Sequence, residues 1–182
     1  EGVNIGLTND FALLTRLLDP VGRRRIIYSC GVGDRDPATI PHLLLSLRRP
    51  ADRLEVLLHD YFPLSPSYSL IESDGIYRGV PGENSRDPAH TTSAPSGRKV
   101  SLAQWRSQWR KLLEAADDII VFSDDSRRLL LASYPGVAGA IRVQPHTLLA
   151  KLPKVRRPDP RIPVVGILGN LAPHKGAGVV SN

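Results

Sequence analysis

The stretch Asp118-Ile119-Ile120-Val121-Phe122-Ser123-Asp124-Asp125-Ser126 decides the fold. An apolar run too short for a helix, rich in β-branched and aromatic residues, reads as a strand. It passes directly into Ser123, a preferred helix N-cap, and then into two acids of the kind a first helical turn favours. A helix is therefore expected from about Asp124 to Tyr134, stopped by Pro135-Gly136. Upstream, Leu102, Trp105, Trp109, Leu112 and Ala116 recur at spacings of three and four, so Ser101 to Ala116 reads as a helix capped by Ser101. A further strand is expected at Ala140 to Val143. Helix, strand, helix, strand is the rhythm of a parallel sheet.

The same rhythm extends toward the N-terminus. Arg25 to Cys30 reads as a strand that runs into the loop Gly31-Val32-Gly33-Asp34, and Ile40 to Leu47 as a short helix. Leu54 to His59 reads as another strand, closed by the polar and turn residues Asp60 through Pro66. The expected architecture is an α/β domain over residues 1–150 with a parallel sheet and flanking helices, interrupted by a long irregular loop at 72–98. Residues 151–163 carry Pro153, Pro158, Pro160 and Pro163 among five basic residues, the composition of a stiff interdomain linker. Val164 to Leu168 reads as a strand, followed by a turn and a helix start at Lys175. Residues 164–182 are too few to bury a core, so they are expected to open a second domain that continues past Asn182.

Composition narrows the function classes without choosing one. The chain has 182 residues, 41% hydrophobic and 23% charged, an ordinary globular mixture. Its single cysteine, Cys30, excludes a disulfide scaffold and is expected to be buried in its strand. No apolar run approaches the roughly 20 residues of a spanning helix. Twenty-four basic against 18 acidic residues give a formal charge of +6. That balance suits nucleic acid, anionic lipid or phosphorylated small molecules, and equally an arginine-rich chain with no such partner.

Each candidate site carries two readings. His59-Asp60 follows a strand, where open α/β sheets bind ligands, and His59 there serves as donor, base or electrostatic stabiliser. The plainer reading is a structural histidine. Asp124 and Asp125 either hold a divalent cation or simply begin a helix. The Trp105 and Trp109 face, with Arg98, Lys99, Arg106, Arg110 and Lys111 nearby, suits an anionic membrane or a protein core. Gly169, with Lys175 and Gly176 at a helix start, suits a phosphate without matching a P-loop, or is an ordinary βα turn with an exposed lysine. His42, His90, His146 and His174 show no metal-ligand spacing.

Taken in order, the pieces resemble one branch of the bacterial glycosyltransferases of family 4, enzymes built from two Rossmann-like domains in the GT-B arrangement. The pieces are His59-Asp60-Tyr61-Phe62, Pro66-Ser67-Tyr68-Ser69-Leu70, Asp74-Gly75-Ile76-Tyr77-Arg78-Gly79 with Pro81, and Trp105-Arg106-x-x-Trp109. Ala116-Asp117, Ser123, Val143-x-Pro145-His146 and Val165 to Gly176 come after them. The resemblance implies a Rossmann-like acceptor-side domain and the first strand and loop of a donor domain. It implies transfer of a sugar from a nucleotide-sugar donor to a glycan or lipid-linked acceptor, in cell-envelope polysaccharide synthesis. His59 would contact the donor sugar and stabilise the transition state. Gly169, Asn170, Lys175 and Gly176 would hold the diphosphate, and Asp60, Tyr61, Ser123 and His146 would line the cleft. No metal or other cofactor and no nucleic acid is implied. The location would be cytoplasmic, with peripheral contact at the inner membrane face. The sequence departs from that branch at Asn170-Leu171, where many members carry an arginine, and at Arg78, where cysteine is usual. The competing readings are another GT-B-like nucleotide-sugar enzyme and a non-catalytic basic module that binds nucleic acid or anionic membrane.

Overall fold

The computed structural model describes residues 6–147, which fall almost wholly in the first of the two units into which the chain divides, Glu1–Gln144. The expected linker at 151–163 and the strand and loop at 164–182 lie outside the described residues. In chain order the elements are α1 (Phe11–Leu18), β1 (Arg25–Tyr28), α2 (Ile40–Leu47), β2 (Arg53–Leu58), β3 (Thr92–Ser93), β4 (Lys99–Val100), α3 (Leu102–Ala115), β5 (Asp118–Val121), α4 (Asp124–Ser133) and β6 (Ile141–Val143).

Four strands form one sheet in the order β1-β2-β5-β6, and every pair is parallel. Ile26 lies opposite Leu54, Val56 opposite Ile119, and Val121 opposite Val143. This is a Rossmann-like α/β fold, as the βα rhythm predicts. One face carries Tyr28, Leu54, Val56, Leu58, Ile119 and Val121, all buried. Against it pack Trp105, Trp109, Leu112 and Leu113 of α3 and Leu129 and Leu130 of α4. Tyr28 meets Trp109 edge to face at 5.0 Å, and Phe62 meets Trp105 the same way at 4.9 Å. Such contacts add to the area the aromatic rings already bury.

The alternate residues of the strands carry a ladder of charges. Arg25 Nη2 lies 2.5 Å from Glu55 Oε2, and Arg53 bridges Glu55 and Asp118. Arg142 Nε lies 2.5 Å from Asp118 Oδ1. The two carboxylates are almost wholly covered, while Arg25, Arg53 and Arg142 are exposed. Arginine stems thus shield the acids while their heads reach water. The guanidinium of Arg25 holds the Glu55 carboxyl below the usual carboxylate range.

Local differences from expectation have physical causes. The helix α1 is not foreshadowed by the expected layout; Asp10 caps it by accepting from Leu13 N at 3.0 Å, and its apolar side chains stay at least partly exposed. The strand β1 stops at Tyr28, so Cys30 is exposed rather than buried. The 72–98 excursion is more ordered than its composition suggests. It contributes to the antiparallel β3-β4 pair, and Asp87 accepts from Ser73 N, Ser73 Oγ and Ala89 N. Trp105 and Trp109 are fully buried, so the tryptophan face is core and is not available to a membrane. No helix among the described residues is long and apolar enough to cross a membrane.

The amino edge of the sheet is closed by buried polar bonds. Asp52 accepts from Arg24 N at 2.9 Å, from Arg24 Nη2 at 2.5 Å and from Arg49 N at 2.8 Å. Arg24 Nη2 also donates to Leu47 O at the end of α2. These bonds hold the Asp52 carboxylate well below its ordinary pKa, with the Arg24 guanidinium the largest cause. A depressed pKa stabilises the fold fully above the unfolded value, about pH 4, and the contribution fades as pH falls through the folded value. We expect Asp52→Asn to lower the urea midpoint at neutral pH and to flatten its fall between about pH 5 and pH 2. Wild-type and variant curves that run parallel across that interval would show that the pair contributes nothing to acid stability.

Candidate functional site

The carboxyl edge of the sheet is built differently. The strand β2 ends at Leu58, and His59 and Asp60 come at once; β5 ends at Val121, succeeded by Phe122 and Ser123. These two strands are neighbours, so the two exits lie side by side. The His59 ring stacks on Phe122 with centroids 4.7 Å apart and planes inclined by 23°. His59 is exposed, and the stack gives its imidazole a defined orientation at the mouth of the two central strands.

Asp60 is partly buried, and its Oδ1 accepts from Phe62 N at 2.9 Å, a side-chain turn that bends the chain back under the edge. Burial pushes its carboxyl pKa up, against the pull of the Phe62 N–H and of nearby His59. Tyr61 packs partly against the core; its N–H donates to Tyr68 O and its carbonyl accepts from Leu64 N, both at 2.8 Å.

The segment Phe62 to Leu64 is the most tightly held part of the edge. Three successive carbonyls each take a donor from a different buried side chain. Trp105 Nε1 donates to Phe62 O at 2.9 Å, Tyr134 Oη to Pro63 O at 2.6 Å, and Arg106 Nε to Leu64 O at 2.9 Å. Arg106 Nη2 also donates to Pro81 O at 2.8 Å, which ties in the end of the Asp74–Pro81 stretch. Next, Ser65 Oγ pairs with His90 Nδ1 at 2.8 Å and accepts from Ser67 N, with the Ser65 and His90 side chains buried. Burial lowers the His90 pKa. Leu70 closes the turn with φ of 60°, a left-handed conformation uncommon for a branched side chain, held by complete burial.

The other expected site residues have separate placements. Ser123 caps α4: its Oγ accepts from Ser126 N at 3.1 Å. Asp124 and Asp125 sit in the first turn, and Asp125 Oδ1 pairs with Arg128 Nη2 at 2.6 Å, so this pair serves the helix start. His146 is exposed and lies past Gln144, in the second unit. Gly169, Asn170, Lys175 and Gly176 lie outside the described residues. Among the described residues, no group of three or more His, Cys, Asp or Glu is placed to hold a metal ion.

Sequence pattern alone does not single out Tyr134 or the Ser65–His90 pair as parts of this site. Tyr134 stands where a helix meets Pro135-Gly136, and an aromatic with a polar tip at such a corner commonly reaches back to a carbonyl. Ser65 and His90 are 25 residues apart, and nothing local signals their pairing. No family model, curated protein or solved structure matches the chain.

The geometry sets the expected outcome of two substitutions. Tyr134→Phe leaves Pro63 O buried without its donor and should cost about 1–3 kcal/mol in urea unfolding; a loss near zero would mean that water replaces the hydroxyl. Asp60→Asn keeps the acceptor for Phe62 N and removes a charge that burial disfavours. It should raise the thermal midpoint at pH 7, and the gain should vanish below about pH 4, where wild-type Asp60 is neutral in both states. A gain that persists at low pH would point to a cause other than charge.

Proposed function

We propose that this chain is the acceptor-side part of a glycosyltransferase that moves a sugar from a nucleotide-sugar donor to a glycan or lipid-linked acceptor. One observation carries the reading. Pieces of sequence that resemble the glycosyltransferase branch, widely separated along the chain, meet at one loop. Trp105 and Arg106 of one piece hold Phe62 and Leu64 in or beside the His59 piece, and Arg106 holds Pro81 of a third. Residues that match a family pattern and also converge on the loop that follows one exposed histidine favour a shared working site. The Rossmann-like sheet is compatible with the same reading.

In the proposed reaction the bond from the anomeric carbon to the donor diphosphate breaks, and an acceptor hydroxyl forms the new bond as its proton passes to the departing diphosphate. The nucleoside diphosphate departs with the electron pair. His59 would donate a hydrogen bond to the donor sugar as charge develops in that step. The stack on Phe122 would fix its ring, so little orientation would have to be found during reaction. Lys175, between Gly169 and Gly176 in sequence, would neutralise the departing diphosphate, and Asn170 would help to hold it. Asp60 would act through the loop bend rather than on substrate.

The test uses the product of the complete reading frame. It is incubated with UDP-, GDP-, ADP- and TDP-sugars, with and without membrane-lipid extract, and nucleotide release is monitored. Release with one donor class, reduced roughly 10²-fold or more by His59→Ala at unchanged thermal midpoint, is the expected result. If no donor releases nucleotide and none raises the thermal midpoint, the transferase reading fails. If His59→Ala unfolds while its folded remainder is fully active, His59 is structural.

A further inference from the structure

A second polar feature shares no residue with the carboxyl-edge site. A cleft of about 690 Å³ runs along α2 and α3, lined by Arg98, Lys111, His42, Gln104, Ser107 and Gln108 and by Thr39, whose hydroxyl already donates to Asp36 O. That volume is within the range of small-molecule sites.

Several of the chain's other cations are already engaged. Arg110 lies 3.3 Å from Glu83, Arg106 is committed to two backbone carbonyls, and Arg78 is clamped by Glu72 and Asp74. The side chains of Arg98 and Lys111 make no ion pair or hydrogen bond among the described residues. Among the described residues, no aspartate or glutamate lines the cleft. Gln104 Oε1 accepts from Ser101 N at 3.0 Å in the capping box of α3, so its amide NH₂ is the group it has left to offer. The same box satisfies the first turn of α3, so the cleft is not merely a bare helix end.

The polar lining is therefore rich in donors: a guanidinium, an ammonium, amide NH₂ groups and a hydroxyl. A phosphate group complements it, offering only acceptor oxygens and negative charge. Arginine grips two such oxygens at once and lysine adds a point charge. No aromatic side chain among the described residues lines the cleft apart from the His42 imidazole, so it has no broad platform for a stacked base, which disfavours single-stranded nucleic acid.

The geometry points to the Arg98–Lys111 cleft as a binding site for a phosphate-bearing ligand, either a soluble phosphorylated compound or an anionic lipid headgroup. This does not rest on the transferase reading.

The test uses the 182-residue chain at low salt with two probes. Inorganic pyrophosphate is measured by equilibrium dialysis. Vesicles of phosphatidylcholine alone, or with an equal part of phosphatidylglycerol, are measured by co-sedimentation. Arg98→Gln with Lys111→Gln should weaken binding by about tenfold or more, since it removes two charge-assisted contacts. The exposed pair Arg23→Gln with Arg127→Gln, which removes the same charge elsewhere, should leave binding nearly unchanged. Pyrophosphate bound without vesicles assigns a soluble ligand, and anionic vesicles bound without pyrophosphate assign a headgroup. Binding of neither probe, or equal loss in both double variants, overturns the site. Both exchanges are at exposed positions, and a matching thermal midpoint confirms that the variants fold.

Discussion

Three consecutive carbonyls behind the central strand constrain the rest of this domain. Phe62 and Leu64 must be buried to complete the core beneath α3, and their backbone oxygens go inside with them. A buried carbonyl without a donor costs about 1–3 kcal/mol, so three in a row would consume much of a small domain's stability. The chain answers with an indole, a phenol and a guanidinium, each delivered from another part of the chain. That requirement explains why Trp105, Arg106 and Trp109 share one helix: Trp105 and Arg106 supply donors, while Trp109 fills the space against Tyr28. It also explains a buried arginine that, among the described residues, has no carboxylate in salt-bridge contact. Its donors are spent on two carbonyls, and burial lowers its pKa as expected for a cation removed from water.

The two edges of the sheet divide the labour. At the amino edge, polar groups are spent on one another: Arg24 with Asp52, Arg48 with Asp117, and Asp117 Oδ2 accepting from Leu54 N at 2.7 Å. At the carboxyl edge, the donors hold backbone instead, and the side chains of His59 and Asp60 project from a loop that has little freedom. Open α/β sheets bind ligands at this edge because strand exits and helix starts converge there. Here the rigid part is the loop and the accessible part is the histidine. That is the arrangement a positioned catalytic group requires, since a side chain on a wandering loop loses much of its effect.

The elements that were legible in sequence are those set by local chemistry. Ser123 before two acids, and Ser101 before the periodic apolar face of α3, announce helix starts that depend on nothing distant. The apolar runs of β2 and β5 likewise read as strands, although β2 ends at Leu58, one residue before His59. The site was legible only as far as His59-Asp60 after a strand. What orients that pair, Phe122, and what holds the loop, Tyr134 and Arg106, come from 40 to 75 residues away in sequence, and spacing carries no trace of such contacts. Cys30 was misjudged for a related reason. The run of β-formers continues past Tyr28, but pairing with β2 ends there, and side-chain burial depends on the partner strand rather than on propensity.

Net charge was the least informative quantity in the sequence, and the fold makes the reason plain. A sum of +6 treats every arginine alike. In the fold they separate into groups with different physics. Arg24 is buried in an ion pair whose removal would strand a charge. Arg25, Arg53 and Arg142 shield two buried acids of the sheet, so their charges are largely cancelled on the spot. Arg106 holds carbonyls. Arg98 and Lys111 share one cleft that, among the described residues, no carboxylate lines. A basic composition therefore says little about partners until each cation is assigned its counterpart. Cations without a counterpart that also share a cleft, rather than the excess itself, mark where an anion would be bound.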